Sequence, residues 1–376
     1  MAAIQHQPVD HVPLCFDGLC HGSVRFVTKL HPDPFERARF YLDLGADTAI
    51  VVNPPLYAGN GLQTKQWKEE PPGERYPLLF KEYITPRGSL RQVVRKTEDY
   101  PDAISLFSDH NVPAGRSKEY LIQKEEDLDK LPYILSPPAG KDLDHFYQNA
   151  KRARTFCEES QIFMSGYSAG VGDSVIHLSG VEPVLTAALE NPAFLKRYVE
   201  IVSDWSLKRT EIWIEAGVDL IVRRGWYEST DFWSPALYRQ FLFEPLKKEV
   251  DLAHQAGVKF TYVMNSGAMP LLDIFKEIAF DIYSNIDPLT PGTDLARIKS
   301  TIGDQIALCG GVNNNLVMEK GTEAEVEAAV ADAMRILSPN SGFILAPGDS
   351  LDFFGTAEET TKRNFHKMIE VWRRLR

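Results

Sequence analysis

Three short, β-rich apolar runs in the last third of the chain each lead to glycine and a polar side chain. Phe260-Thr261-Tyr262-Val263-Met264 delivers Asn265 before Ser266-Gly267, and Ile306-Ala307-Leu308 delivers Cys309 before Gly310-Gly311. Phe343-Ile344-Leu345-Ala346 delivers Asp349 after Pro347-Gly348. A thiolate can ligate a borderline metal, a carboxylate can hold a cation or act as a base, and an amide can polarise a substrate oxygen. Each also has a structural alternative. Free cysteine commonly fills core, Asp349 or Ser350 could cap the next helix, and Asn265 could bond the turn at Gly267. Near the N-terminus, Asp17, Cys20 and His21 form the densest group of possible ligands. They could hold Zn²⁺, or His21 could act as a general acid–base with Asp17, or the loop could be held by Asp–backbone hydrogen bonds. Glu228 stands beside Trp226 and Tyr227 as a base or ligand with aromatic neighbours. Tyr57, Tyr167, Trp226, Tyr227 and Tyr262 are expected to wall a pocket for a flat, apolar ring. His177, His254 and Asp281 are read as structural.

Side chains so scattered in sequence need a scaffold that gathers strand ends, and the punctuation supplies one. A first buried strand over Val12 to Gly18 ends at Asp17; Pro34 to Leu44 has helical spacing and stops at Gly45. Thr48 to Asn53 is a second strand, halted by Pro54-Pro55. Strands at Ile162 to Gly166 and Val218 to Val222 alternate with helices at Leu143 to Glu158 and Pro192 to Ala216. A small-residue loop is expected over Tyr167 to Ser174. Ser234-Pro235 reads as an N-cap followed by proline at the first helical position, opening a helix through Ala256. The three runs described first follow, and a helix from Glu358 to Arg376 closes the chain. Leu79 to Thr85 and Leu90 to Lys96, joined through Pro86-Arg87-Gly88, break this rhythm and read as a β-hairpin. The expectation is a single (β/α)8 TIM barrel over 1–376 with an inserted β-hairpin, its chemistry on the loops after the strands. No Gly-rich dinucleotide fingerprint follows the first strand, which favours a barrel over an open sheet.

The 376 residues exceed the roughly 250 of a minimal barrel and accommodate one with insertions. A net charge of −11 argues against nucleic acid as a partner, because phosphate contacts need basic patches. No apolar run approaches the ~18 residues of a membrane span, and no basic-then-apolar leader precedes Val12, so a cytoplasmic protein is expected. Four irregularly spaced cysteines suggest free thiols rather than a disulfide framework.

Several stretches together resemble the uroporphyrinogen decarboxylase superfamily. They are Trp226-Tyr227-Glu228 with Phe232-Trp233-Ser234-Pro235, Ala253-His254 with Gly257-Val258-Lys259-Phe260, and Ser266-Gly267 with Ile286-Asp287-Pro288. Cys309-Gly310-Gly311-Val312 and the end through Gly348-Asp349-Ser350 belong to the same pattern, as do Gln7 to Pro13 and Glu119 to Ile122. The resemblance implies one barrel and either tetrapyrrole decarboxylation or zinc-dependent methyl transfer involving corrinoid proteins. The decarboxylase's Arg-rich N-terminal segment has no counterpart, because Asp17 to Gly22 is followed by Arg25 alone. A polycarboxylate would need several guanidinium forks. The His-x-Cys pair of the thiol methyltransferases is replaced by Met264 and Ser266, and their later cysteine by Asp349. The resulting expectation is methyl transfer from a small, aromatic methyl ether to a partner corrinoid protein. Zinc is expected on Cys309 and Asp349, with Asp17, His21, Glu228 and Asn265 as catalytic groups. No Asp-x-His-x-x-Gly signature occurs, so the cobalamin must come from the partner. The alternatives are a metal-free decarboxylase or lyase of a small acid using Asp17 and His21, and a non-catalytic barrel.

Overall fold

A computed structural model describes residues 1–19, 22–56 and 62–376. The barrel strand β1 is Ala49–Val51, and an inserted sheet follows it: β2 Gln63–Glu69, β3 Leu78–Thr85, β4 Gly88–Arg95 and β5 Ser117–Glu119. The barrel resumes with β6 Phe163–Ala169, β7 Leu220–Arg224, β8 Lys259–Val263, β9 Ile282–Ile286, β10 Ala307–Val312 and β11 Phe343–Pro347. These seven strands pair in parallel in the order β1-β6-β7-β8-β9-β10-β11. The segment around Leu14 and Cys15 closes the ring by bridging Leu345 on one side and Asp47 on the other. Cys15 N donates to Leu345 O at 2.9 Å and Asp47 N to Leu14 O at 2.7 Å. The expected first strand is therefore reduced to bridges but occupies the eighth position.

Alternation along each strand separates two apolar layers. Leu220, Val222, Val263, Ile282, Ala307, Cys309, Ile344 and Ala346 fill the barrel interior. Ile221, Phe260, Tyr262, Tyr283 and Leu308 belong to the larger core beneath the helices. There, helix Pro192–Glu215 begins at Asn191, whose side chain accepts from Phe194 N, with proline in the first turn. Its Trp213 is fully buried and donates from Nε1 to Val52 O at 2.8 Å, fixing the chain just beyond β1.

Three further elements differ from the sequence pattern. The hairpin is present as β3 and β4, joined from Thr85 to Gly88, but β2 and β5 widen it into a four-stranded antiparallel sheet. β2 went unrecognised because almost every residue of it is exposed, so no alternating pattern marks it; Trp67 stacks on Phe80 with ring centroids 5.0 Å apart. Tyr167 to Ser174 is no loop: β6 runs through Ala169, and a helix, Val171–Ser179, starts after Gly170. Every residue of that helix is buried, so it lacks the polar face by which helices are recognised. The helix after Ser234 is two helices, Pro235–Phe241 and Phe243–Gln255. Pro245 has no N–H to donate to Phe241, which accounts for the break at Leu242.

Candidate active site at the barrel mouth

The loops after the strands enclose a cavity of about 910 Å³. Asp349 enters it from the loop after β11, where Gly348 N donates to Val312 O at 2.7 Å. Its Oδ1 accepts from Ser350 N at 2.6 Å and its Oδ2 from Asn265 Nδ2 at 3.0 Å. The fold thus joins two of the expected residues, from the ends of β8 and β11. Burial raises the Asp349 pKa, with the Ser350 amide and Asn265 opposing. Asp17 also lines the cavity, but Arg37 Nε engages its Oδ2 at 3.0 Å. Burial raises this carboxyl too, against the Arg37 charge. Gly18 beside it has φ +86°, and a Cβ there would come within 2.5 Å of Ala49 O, so only glycine lets the turn lie against β1.

Tyr167 and Trp226 line the cavity, together with Phe107, Phe353 and Phe354. Burial pushes the Tyr167 phenol far up, keeping it neutral. Tyr227 stands behind this wall, its ring 5.6 Å from that of His177. Tyr262 and Glu228 are placed differently from expectation, on the helix side of the barrel and fully buried. Tyr262 donates to Glu228 Oε2 at 2.5 Å, while Glu228 Oε1 accepts from Gly172 N at 2.7 Å and Arg223 at 3.0 Å. Arg223 also donates to Glu249 at 2.6 Å, and these two carboxylates keep it charged despite its burial. The group is a buried polar network that holds the start of helix Val171–Ser179 against β7. His21 and Tyr57 lie outside the described residues.

Four further residues build one wall. Asp109, from the segment between β4 and β5, reaches the cavity from the inserted sheet. His177 Nε2 lies 3.1 Å from its Oδ1, and Arg224 Nη1 donates to its Oδ2 at 3.4 Å. Arg224 Nε donates to Asp173 Oδ2 at 3.0 Å, Tyr227 N donates to Asp173 Oδ1 at 2.7 Å, and the guanidinium lies 4.7 Å from the Trp226 ring centre. Burial lowers the His177 pKa, so a neutral imidazole donates from Nε2 to Asp109. Burial alone would raise Asp109, but the His177 hydrogen bond and the Arg224 charge outweigh it and hold the carboxyl at about 2. Asp173 is pushed up by its complete burial, with Arg224 opposing. The reading of His177 as purely structural thus misses its hold on a cavity carboxylate. Arg224 was detectable as the polar residue ending β7; Asp109 and Asp173 carry no local signal. His254 and Asp281, 2.7 Å apart with Lys259 also on Asp281, sit at the opposite end of the barrel, as a stabilising pair would.

The expected zinc finds no donor set among the described residues, where no three His, Cys, Asp or Glu side chains gather as a metal site. Asp349 is at the cavity, whereas Cys309 is 1% exposed within the aliphatic interior of the barrel. Among the described residues, no helix is long and apolar enough to cross a membrane.

The family model "Uroporphyrinogen decarboxylase (URO-D)" matches residues 107–375. The chain belongs to the uroporphyrinogen decarboxylase family. That match spans Asp109, His177, Arg224 and Asp349 but not Asp17. Among solved structures, this URO-D barrel is similar to a methyltransferase from Methanosarcina mazei at 17% identity and a TM-score of 0.60, covering 99% of this chain and 96% of the other. A B12-independent methionine synthase from Shewanella sp. matches at 10% identity and a TM-score of 0.48, covering 97% of each chain. No curated protein sequence matches this URO-D chain.

Proposed function

We propose that this barrel is a methyltransferase, taking a methyl group from a small donor held in the cavity and passing it to a corrinoid carried by a partner protein. The observation that carries the reading is a wide, aromatic-walled cavity open at the C-terminal face of a URO-D barrel. Exposed apolar side chains lie along one side of that face: Leu56 after β1, Leu289 after β9, Leu316 after β10, and Phe353 and Phe354 after β11. Such a patch suits a transient protein contact that brings a large cofactor over the opening. The similarity to a methyltransferase fold over nearly the whole chain supports the same reading.

A methyl ether, the donor expected from sequence, releases an alkoxide or phenolate and needs a proton or Lewis acid on the leaving oxygen. Asp349 is the candidate acid, because its burial favours the protonated form. Asn265 would orient the carboxyl through its 3.0 Å hydrogen bond. Zinc would supply Lewis acidity, but the described donors do not gather around a site for it. The locked pair of Asp17 with Arg37 gives no support to a decarboxylase reading in which Asp17 moves protons freely.

The test is methyl transfer to cob(I)alamin, read by the corrinoid absorbance change, across a panel of methyl ethers, methylamines and methyl thioethers. Transfer from at least one donor is expected, and none from any would overturn the reading. If an ether is the donor, Asp349→Asn should lower the rate about 10²-fold or more. The wild-type rate should also fall as pH rises through the raised pKa of Asp349, a limb the variant should lack.

A further inference from the structure

The charges around the cavity are unbalanced. Among its described lining residues, Arg224 is the single guanidinium and no lysine is present, while Asp17, Asp99, Asp109, Glu319 and Asp349 bring carboxylates. Leaving Asp349 aside, the remaining four and buried Asp173 share three ion-paired cations. Asp17 pairs with Arg37 and Asp99 with Arg116, while Asp109 and Asp173 share Arg224. Glu319 accepts the Asp352 amide at 2.7 Å, and the cation acting on it among the described residues is its neighbour Lys320, through space.

The Arg224 charge is already shared between two carboxylates. Its Nε is bonded to Asp173, its Nη1 to Asp109, and its plane lies over Trp226. Asp109, by contrast, has both oxygens anchored yet keeps 43% of its side chain exposed beside the cavity. A fixed, partly exposed carboxylate in a cavity also lined by the aromatic side chains Phe107 and Tyr167 attracts positive charge by Coulomb attraction, and aromatic lining tolerates a cation better than an anion. A carboxylated donor would meet that same surface as repulsion.

We propose that the methyl donor is a cation, a small organic ammonium whose charge rests near Asp109 in the aromatic-lined cavity; transfer to the corrinoid acceptor would break the C–N+ bond, and the neutral amine would leave with the bonding pair, needing no proton from Asp349. The proposal rests on the reading of this cavity as the donor site. Donor charge then sets specificity: neutral donors of the same shape bind weakly and anionic ones are rejected.

Calorimetric titration of the full chain with choline, with its uncharged carbon isostere 3,3-dimethyl-1-butanol, and with 4-methoxybenzoate tests it. Choline is expected to bind about tenfold or more tighter than the isostere, and 4-methoxybenzoate more weakly still. Asp109→Asn should bring choline and the isostere to within about twofold of each other. Glu319→Gln, on a different element, should reduce the preference by a smaller factor, so the test survives if the first variant fails to fold. Choline binding no tighter than the isostere, including absence of both, overturns the proposal, as does preferential binding of 4-methoxybenzoate. Selective choline binding with no methyl transfer to cob(I)alamin from any donor class would leave the charge selectivity standing and remove the methyltransferase reading, whereas transfer from uncharged donors alone would overturn the ammonium proposal.

Discussion

Cys309 illustrates how a side chain's chemistry depends on what surrounds it. Its position before two glycines on β10 suggested a ligand, but its neighbours are Ile282, Ala307, Ile344 and other apolar groups inside the barrel. A thiol there behaves as a small hydrophobe. Cys309→Ser should therefore leave the metal content of the purified protein unchanged by elemental analysis. It should cost about 1–3 kcal/mol in denaturant unfolding, since a hydroxyl would replace an apolar neighbour without a partner. Loss of stoichiometric zinc in that variant would restore Cys309 to the site. Asp349 and Asn265, 84 residues apart, show the opposite outcome. Two side chains singled out by strand-end position alone meet in a hydrogen bond.

At the level of elements, the junction of β6, Gly170 and helix Val171–Ser179 holds the site to the barrel. Gly170 N donates to Arg224 O at 2.5 Å, so the turn lies directly on the end of β7. A Cβ at Gly170 would come within 2.6 Å of both Arg224 O and Glu228 Oε1. Gly170→Ala should destabilise the fold by about 1–3 kcal/mol in chemical denaturation, the usual cost of overpacking. It should also weaken ligand binding, because Asp173 and His177 ride on the displaced helix. Unchanged stability together with unchanged binding would show that the junction yields without moving the wall. The inserted sheet is joined to this element through Asp109 and His177, so it contributes a functional group as well as an edge.

For the whole molecule, the Asp109 contact links insert to barrel in a pH-dependent way. Its carboxyl is held at about 2, below the ordinary 3.8, so the resulting stabilisation is complete above about pH 4 and is lost as pH falls through about 2. The stability difference between wild type and Asp109→Asn, measured by urea unfolding, should be constant from pH 7 to about 4 and shrink below that. A difference that stayed constant down to pH 2 would exclude the ion pair as its cause. Most of this architecture was legible from local pattern. Alternating apolar runs, Gly stops and the Asn191 and Ser234 caps identify barrel elements, because those signals depend on each residue's immediate neighbours. β2 and helix Val171–Ser179 were not legible, since one is exposed and the other buried along nearly its whole length, and neither has two contrasting faces. Sequence by itself determined the parallel barrel and the strand ends from which Asp349, Tyr167 and Trp226 reach the cavity lining. Only tertiary structure decided that Glu228 and Tyr262 turn away into a buried network, that Cys309 is core, and that Asp109, Asp173, His177 and Arg224 form one wall. The pairing of Asp109 with Arg224, 115 positions apart, follows from how the barrel closes, which no local periodicity encodes.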